Sequence, residues 1–137
     1  MPTDRCLADF IGVWALERRI THGDGTTAVF SGRAVFEPDE NGLRYQETGA
    51  LLVGQGAPLT ATQRYRWGAD LQVFFEDGRP FHRVPPSGGA TAHWCDPDQY
   101  DGFYDFADWP AFTVTWTVKG PRKDYCSVSR YARSGSR

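Results

Sequence analysis

Chemically versatile residues crowd the second half of the chain: His82, His93, Cys95, Tyr100, Tyr104, Asp105, Lys123, Asp124 and Tyr125. His93 and Cys95 are two apart, which on a strand turns both to one face. That spacing offers two ligands to one metal, with His82 from the preceding strand as a third. One His-x-Cys without a second cysteine pair falls short of zinc-site spacing, so no metal ligand is assigned. Cys95 beside His82 or His93 is also a candidate nucleophile, which needs a thiolate in an electropositive setting. From His93 to Trp109 there are five Asp and no Lys or Arg, the opposite field. The ordinary alternative is a His bonded to a loop carbonyl and a small buried Cys. His93, Tyr104 and Asp105 form an acid–base set if Asp105 is buried rather than exposed on its strand. Lys123 follows the Gly120-Pro121 turn, where it can receive an anionic head group or simply complete the turn with Asp124. No Walker loop, Gly-x-Gly-x-x-Gly, His-Glu-x-x-His or Gly-x-Ser-x-Gly occurs, and no catalytic residue or cofactor is assigned.

The elements that must hold these groups are short strands. The 137 residues suffice for one domain spanning 1–137. Aromatics make up 15%, with five Trp, six Tyr and nine Phe, and there are 15 Gly and 9 Pro. Such a composition suits strands and turns, and excludes helical bundles, coiled coils and disordered tails. The apolar stripe Leu7, Phe10 and Ile11 predicts a helix over 3–10, capped by Thr3 or Asp4. After Gly12 the period becomes two, and strands are expected at 13–21, 27–37, 43–53, 59–68, 71–76, 80–84, 90–95, 100–106, 112–119 and 124–133. Gly23-Asp24-Gly25, Asp39-Glu40-Asn41-Gly42, Gly54-Gln55-Gly56 and Asp77-Gly78 punctuate them. About ten strands suit a closed barrel over 12–134, because closure removes free edges.

Alternation assigns inner faces. Trp14, Leu16, Arg18 and Ile20 share one, as do Tyr45, Glu47, Gly49 and Leu51 on the third strand. Gln63, Tyr65 and Trp67 follow on the fourth, Phe112, Val114, Trp116 and Val118 on the ninth, and Tyr125, Ser127, Ser129 and Tyr131 on the tenth. Charged groups are costly inside unless paired, so Arg18 and Glu47 are expected to meet across the lumen. A barrel that needed only filling would use aliphatic residues, whereas small barrels can hold a ligand. The expected ligand-binding residues are therefore Arg18, Tyr45, Glu47, Tyr65, Trp67, His82, His93, Tyr104, Trp116, Tyr125 and Tyr131.

Net charge is −2 and is even between the halves, which does not suit a nucleic-acid partner. The acidic run before Trp109 and the six bases from Lys119 to Arg137 are expected on different faces. No apolar run is long enough for a membrane span. With no signal-peptide pattern, and with Cys6, Cys95 and Cys126 widely spaced, the expected location is the cytoplasm, with reduced thiols. A small-molecule ligand is the expected partner, and a homodimer is compatible with the sequence.

Phe10-Ile11-Gly12-Val13-Trp14 runs from a helix into Gly-x-Trp at the first strand. This resembles the lipocalin and wider calycin pattern, in which the Trp closes one barrel end and an Arg of the last strand packs on it. Arg130 and Arg133 are the candidates. Tyr45-x-Glu47-x-Gly49, Asp77-Gly78-Arg79-Pro80-Phe81-His82, His93-x-Cys95-x-Pro97 and Gly120-Pro121-Arg122-Lys123-Asp124-Tyr125 extend the likeness over nearly the full length. They resemble an uncharacterised bacterial family, domain of unknown function 6314. The resemblance implies an all-β, antiparallel calycin-like barrel of about 8–10 strands with a short N-terminal helix, and no assigned activity. Some barrels of this kind bind haem through one His, a role open to His82 or His93, but Ala15-Leu16-Glu17 replaces the Gly-rich continuation after the Trp. The expected function is binding of a small apolar or amphipathic ligand in the lumen. The alternatives are an enzyme working through His93, Tyr104 and Asp105, and a filled barrel that docks a protein through Trp94 and Trp109.

Overall fold

The computed structural model describes residues 4–134. One short helix, α1 (Leu7–Phe10), precedes ten strands. The strands are β1 (Gly12–His22), β2 (Thr27–Asp39), β3 (Gly42–Val53), β4 (Leu59–Trp67), β5 (Gln72–Phe75), β6 (Pro80–Arg83), β7 (Gly89–Cys95), β8 (Asp98–Asp105), β9 (Phe112–Lys119) and β10 (Asp124–Arg133). They form one antiparallel sheet in the order β6-β5-β4-β3-β2-β1-β10-β9-β8-β7. The sheet curls until its two edges face each other. There the Thr91 hydroxyl donates to the Arg83 carbonyl at 2.8 Å instead of a strand ladder, so the barrel is nearly closed. Among the described residues, no helix is long and apolar enough to cross a membrane.

The helix is shorter than the expected 3–10. Cys6 is its N-cap, and the Asp9 carboxylate accepts the Cys6 N–H at 2.8 Å. The Arg5 N–H instead donates to the Pro86 carbonyl at 2.7 Å, which holds the chain outside the helix. Asp4 therefore caps nothing, and Thr3 lies outside the described residues.

α1 drives Phe10 into one end of the barrel. Its ring, fully buried, meets Trp67, Trp109, Phe36, Phe112 and Phe106 at 5.0–6.1 Å. Trp14, also fully buried, donates its indole N–H to the Phe10 carbonyl at 2.9 Å. Arg133, rather than Arg130, covers that indole, with its guanidinium carbon 3.9 Å from the ring centre. Arg133 also donates to the carbonyls of Ile11 and Asp9 at 2.8 and 2.7 Å. These bonds satisfy carbonyls at the helix end and join it to the last strand.

Two expectations fail here. Trp109 is half-buried and packs its ring on Phe10, Trp14 and Phe112, so it does not join the 58% exposed Trp94 in a two-tryptophan patch. The acidic and basic segments share a face, because β8 pairs with β9 and β9 with β10. Lys123 Nζ reaches Asp98 at 3.1 Å as a result.

Closure depends on Gly32 and Gly49, which face each other across β2 and β3. A Cβ on Gly32 would lie 2.2 Å from the Thr48 carbonyl oxygen, and one on Gly49 2.3 Å from that of Ser31. The missing side chains let both strands coil tightly at this level. Gly32→Ala is expected to cost about 1–3 kcal/mol, read as a lower denaturation midpoint at unchanged slope. An unchanged midpoint would show that the close approach does not constrain the fold.

Candidate functional site

Above the aromatic base the inward positions become polar on one side. Arg18 on β1 and Glu47 on β3 are separated by β2, where the small Gly32 and Ala34 leave the way open between them. Arg18 Nη1 donates to Glu47 Oε2 at 2.6 Å and Nη2 to Oε1 at 3.1 Å. Arg18 Nε donates to the Ser129 hydroxyl at 2.6 Å. The Tyr45 hydroxyl donates to Glu47 Oε1 at 2.5 Å. With that proton committed, Tyr131 donates to Tyr45 across 2.8 Å. The forked geometry and the added donors offset the cost of burying both charges. Burial alone would lower the Arg18 pKa, yet the hydrogen bond to Glu47 and the Glu47 charge raise it overall. Burial, reinforced by the Glu47 charge, pushes Tyr131 and Tyr65 up to about 12. It holds Tyr45 well above the ordinary tyrosine value.

The opposite side is aromatic. Trp116 lies flat on β8 because its cross-strand partner is Gly102, where a Cβ would sit 2.7 Å from the indole. Phe81 stacks with Trp116 at 5.2 Å and 18°. The register of β5 against β6 slips between Val73 and Phe74, and this irregularity lets both Phe81 and His82 face the lumen. His82, only 6% exposed, has Nε2 2.8 Å from the Tyr104 hydroxyl. Its Nδ1 is buried without a partner among the described residues. Burial, with a smaller contribution from His93, pushes the His82 pKa down to about 3, so the ring is neutral. Burial also holds Tyr104 well above its ordinary value.

Between the two sides lies a cavity of about 230 Å³. Arg18, Tyr45, Glu47, Tyr65 and Trp67 line it, as do His82, Tyr104, Trp116, Tyr125 and Tyr131. His93 lies outside that wall, with its ring 5.2 Å from Phe81 and 5.9 Å from Tyr100. Its expected place in the lumen fails because Phe81, behind which it packs, occupies the inward position. Phe81, Tyr100, Gln63, Ser127 and Ser129 join the wall although the expected ligand set omitted them. Alternation had already turned Gln63 and the two serines inward. Phe81 has no such signal, since strict alternation turns only one of Phe81 and His82 inward.

The acid–base set does not assemble. Asp105 is exposed and accepts the Ala107 N–H at 2.9 Å, while its neighbour Tyr104 points inward. Cys6 and Cys95 are exposed, Cys126 is half-buried, and all three are free thiols. Among the described residues, no three His, Cys, Asp or Glu side chains converge on a common point. At the mouth, Lys123 is held by Asp98 at 3.1 Å and by the Tyr100 hydroxyl at 3.0 Å.

A family model described as "Family of unknown function (DUF6314)" matches residues 10–133. No curated protein matches the sequence. Among solved structures, the fold is similar to the S-type phycobiliprotein lyase CPES from Guillardia theta, with a TM-score of 0.66 and 9% identity over 96% of this chain and 92% of that one. The redesigned β-barrel mFAP0, bound to DFHBI, matches with a TM-score of 0.45 and 16% identity, over 91% of this chain and 99% of that one. A de novo designed fluorescence-activating β-barrel matches with a TM-score of 0.45 and 12% identity, over 93% of this chain and 96% of that one. At these identities the likeness is one of fold.

Two measurements test the site's energetics. Arg18→Met and Glu47→Leu should each cost about 3–5 kcal/mol, because each strands a buried charge. The double variant should cost much less than their sum; additive losses would show that the pair is uncoupled. The His82 pKa is depressed in the folded state, so the unfolded chain binds the extra proton. Stability should therefore fall as pH drops from about 6.5 toward 3, by on the order of a few kcal/mol. His82→Gln should flatten that fall in denaturant melts, and an equally steep fall in the variant would assign it to other groups.

Proposed function

The chain belongs to the family of unknown function DUF6314, and we propose that it binds a small, flat, amphipathic organic molecule in the barrel lumen. The observation that carries this reading is the cavity itself, about 230 Å³, with stacked rings on one side and a hydrogen-bonded Arg18–Glu47 pair on the other. A core built only for stability would fill such a volume with side chains. The size lies slightly below the usual 300–1,000 Å³ of drug-sized sites and favours a molecule of one or two fused rings. Trp116 and Phe81 offer apolar surface, while Arg18, Gln63 and the serines of β10 offer polar contacts. The lyase-like fold supports the reading as a barrel of similar build. The three free thiols suit a reducing compartment, and we read the cytoplasm as the place of work. Residues 12–134 then act as one binding domain.

Native mass spectrometry of the gently purified protein should show an adduct, or tryptophan fluorescence should respond saturably to 2-naphthol. Trp116→Ala should weaken that binding about tenfold or more, through lost stacking area. Naphthol binding of unchanged affinity in Trp116→Ala would place the binding site elsewhere. The absence of both adduct and response would contradict the reading.

A further inference from the structure

The charges around the lumen cancel, and this constrains what can enter. Arg18 borders the cavity with its side chain 18% exposed. A guanidinium carries five N–H donors. Three are used, one on Ser129 and two on Glu47, and a remaining N–H calls for an oxygen acceptor on the ligand. Arg18 nevertheless brings no net positive charge, because Glu47 lies in bidentate contact with it.

Among the residues that line the cavity, no other group changes the sum. His82 is a neutral imidazole, and burial keeps Tyr45, Tyr65, Tyr104 and Tyr131 protonated. Tyr125 is likewise raised by burial. Lys123, bonded to the lining residue Tyr100, is already paired with Asp98. A carboxylate entering the lumen would lose its water and gain a guanidinium whose charge Glu47 has already compensated. It would also stand close to the Glu47 carboxylate. A neutral carbonyl or amide oxygen accepts the same N–H without that penalty.

We infer that the lumen selects neutral, flat molecules bearing a carbonyl or amide oxygen, and rejects carboxylates of the same shape, because Glu47 cancels the charge of Arg18. This rests on the lumen-binding reading and goes beyond it by naming the ligand's chemical class. Glu47 is on this account a specificity-determining residue, acting through Arg18.

The test uses isosteric probes, 2-naphthamide against 2-naphthoate and benzamide against benzoate, titrated calorimetrically into the full chain. In the wild type at pH 7 the amides should bind about tenfold or more tighter than the carboxylates. Lowering the pH from 7 to 5 should tighten naphthoate binding by about tenfold per unit, as only its neutral acid enters, and leave naphthamide unchanged. Glu47→Gln frees the Arg18 charge and should shift the ratio toward the carboxylate by about tenfold or more. The pH series decides on the wild type alone if that variant does not fold. Carboxylates that bind as tightly as amides at pH 7 would overturn the inference and leave lumen binding standing. No binding of any of the four probes would overturn lumen binding and the inference together.

Discussion

Inside the barrel an arginine and a glutamate lie 2.6 Å apart, held in place by a serine and two tyrosines. Few side chains are as costly to bury, and removing either partner would strand the other. The surrounding sequence is arranged around this constraint. Gly32 and Ala34 on the intervening strand keep the path short. Tyr45 supplies a hydroxyl where a smaller or apolar residue would leave the carboxylate under-bonded, and Tyr131 donates in turn to Tyr45. The side chains that meet the pair come from β1, β3 and β10, so it also ties together strands that do not all neighbour one another.

The lumen divides into a sealed half and an open half for a simple reason. At the helix end, Phe10, Trp14, Trp67 and Phe112 fill the barrel with rings, and Arg133 closes it from outside. Farther along the same strands, Arg18, Ser127, Ser129 and Gln63 replace rings, and polar side chains cannot close-pack against one another as Phe and Trp do. The cavity occupies the place where the two regimes meet. Trp116 is flat against Gly102 and stacked with Phe81, and the two rings together border that space.

Much of this was legible from period two alone. The inward sets on β1, β3, β4, β9 and β10 follow directly from alternation, and so does the meeting of Arg18 with Glu47. Gly-x-Trp before a strand, with an Arg in the last strand, pointed to the sealed end and left only the choice between Arg130 and Arg133. What alternation could not show is register slippage. The irregularity beside Val73 turns both Phe81 and His82 inward, and Phe81 in turn keeps His93 out of the lumen. Tertiary packing decided the rest. Trp109 is drawn into the base by its neighbours, and Asp98 is drawn to Lys123 by strand pairing that joins the acidic and basic segments. Asp105 alternates outward beside Tyr104 and caps a turn, which separates the residues of the supposed acid–base set.

The central claim is that the space between Trp116 and the Arg18–Glu47 pair is a binding site for a neutral molecule. A crystal structure of the protein soaked with 2-naphthamide tests it most directly. The account predicts a flat density against Trp116, an amide oxygen within hydrogen-bond distance of an Arg18 nitrogen, and the Arg18–Glu47 fork unbroken. A lumen closed by its own side chains, or an amide bound only on the outer face of the barrel, would contradict it.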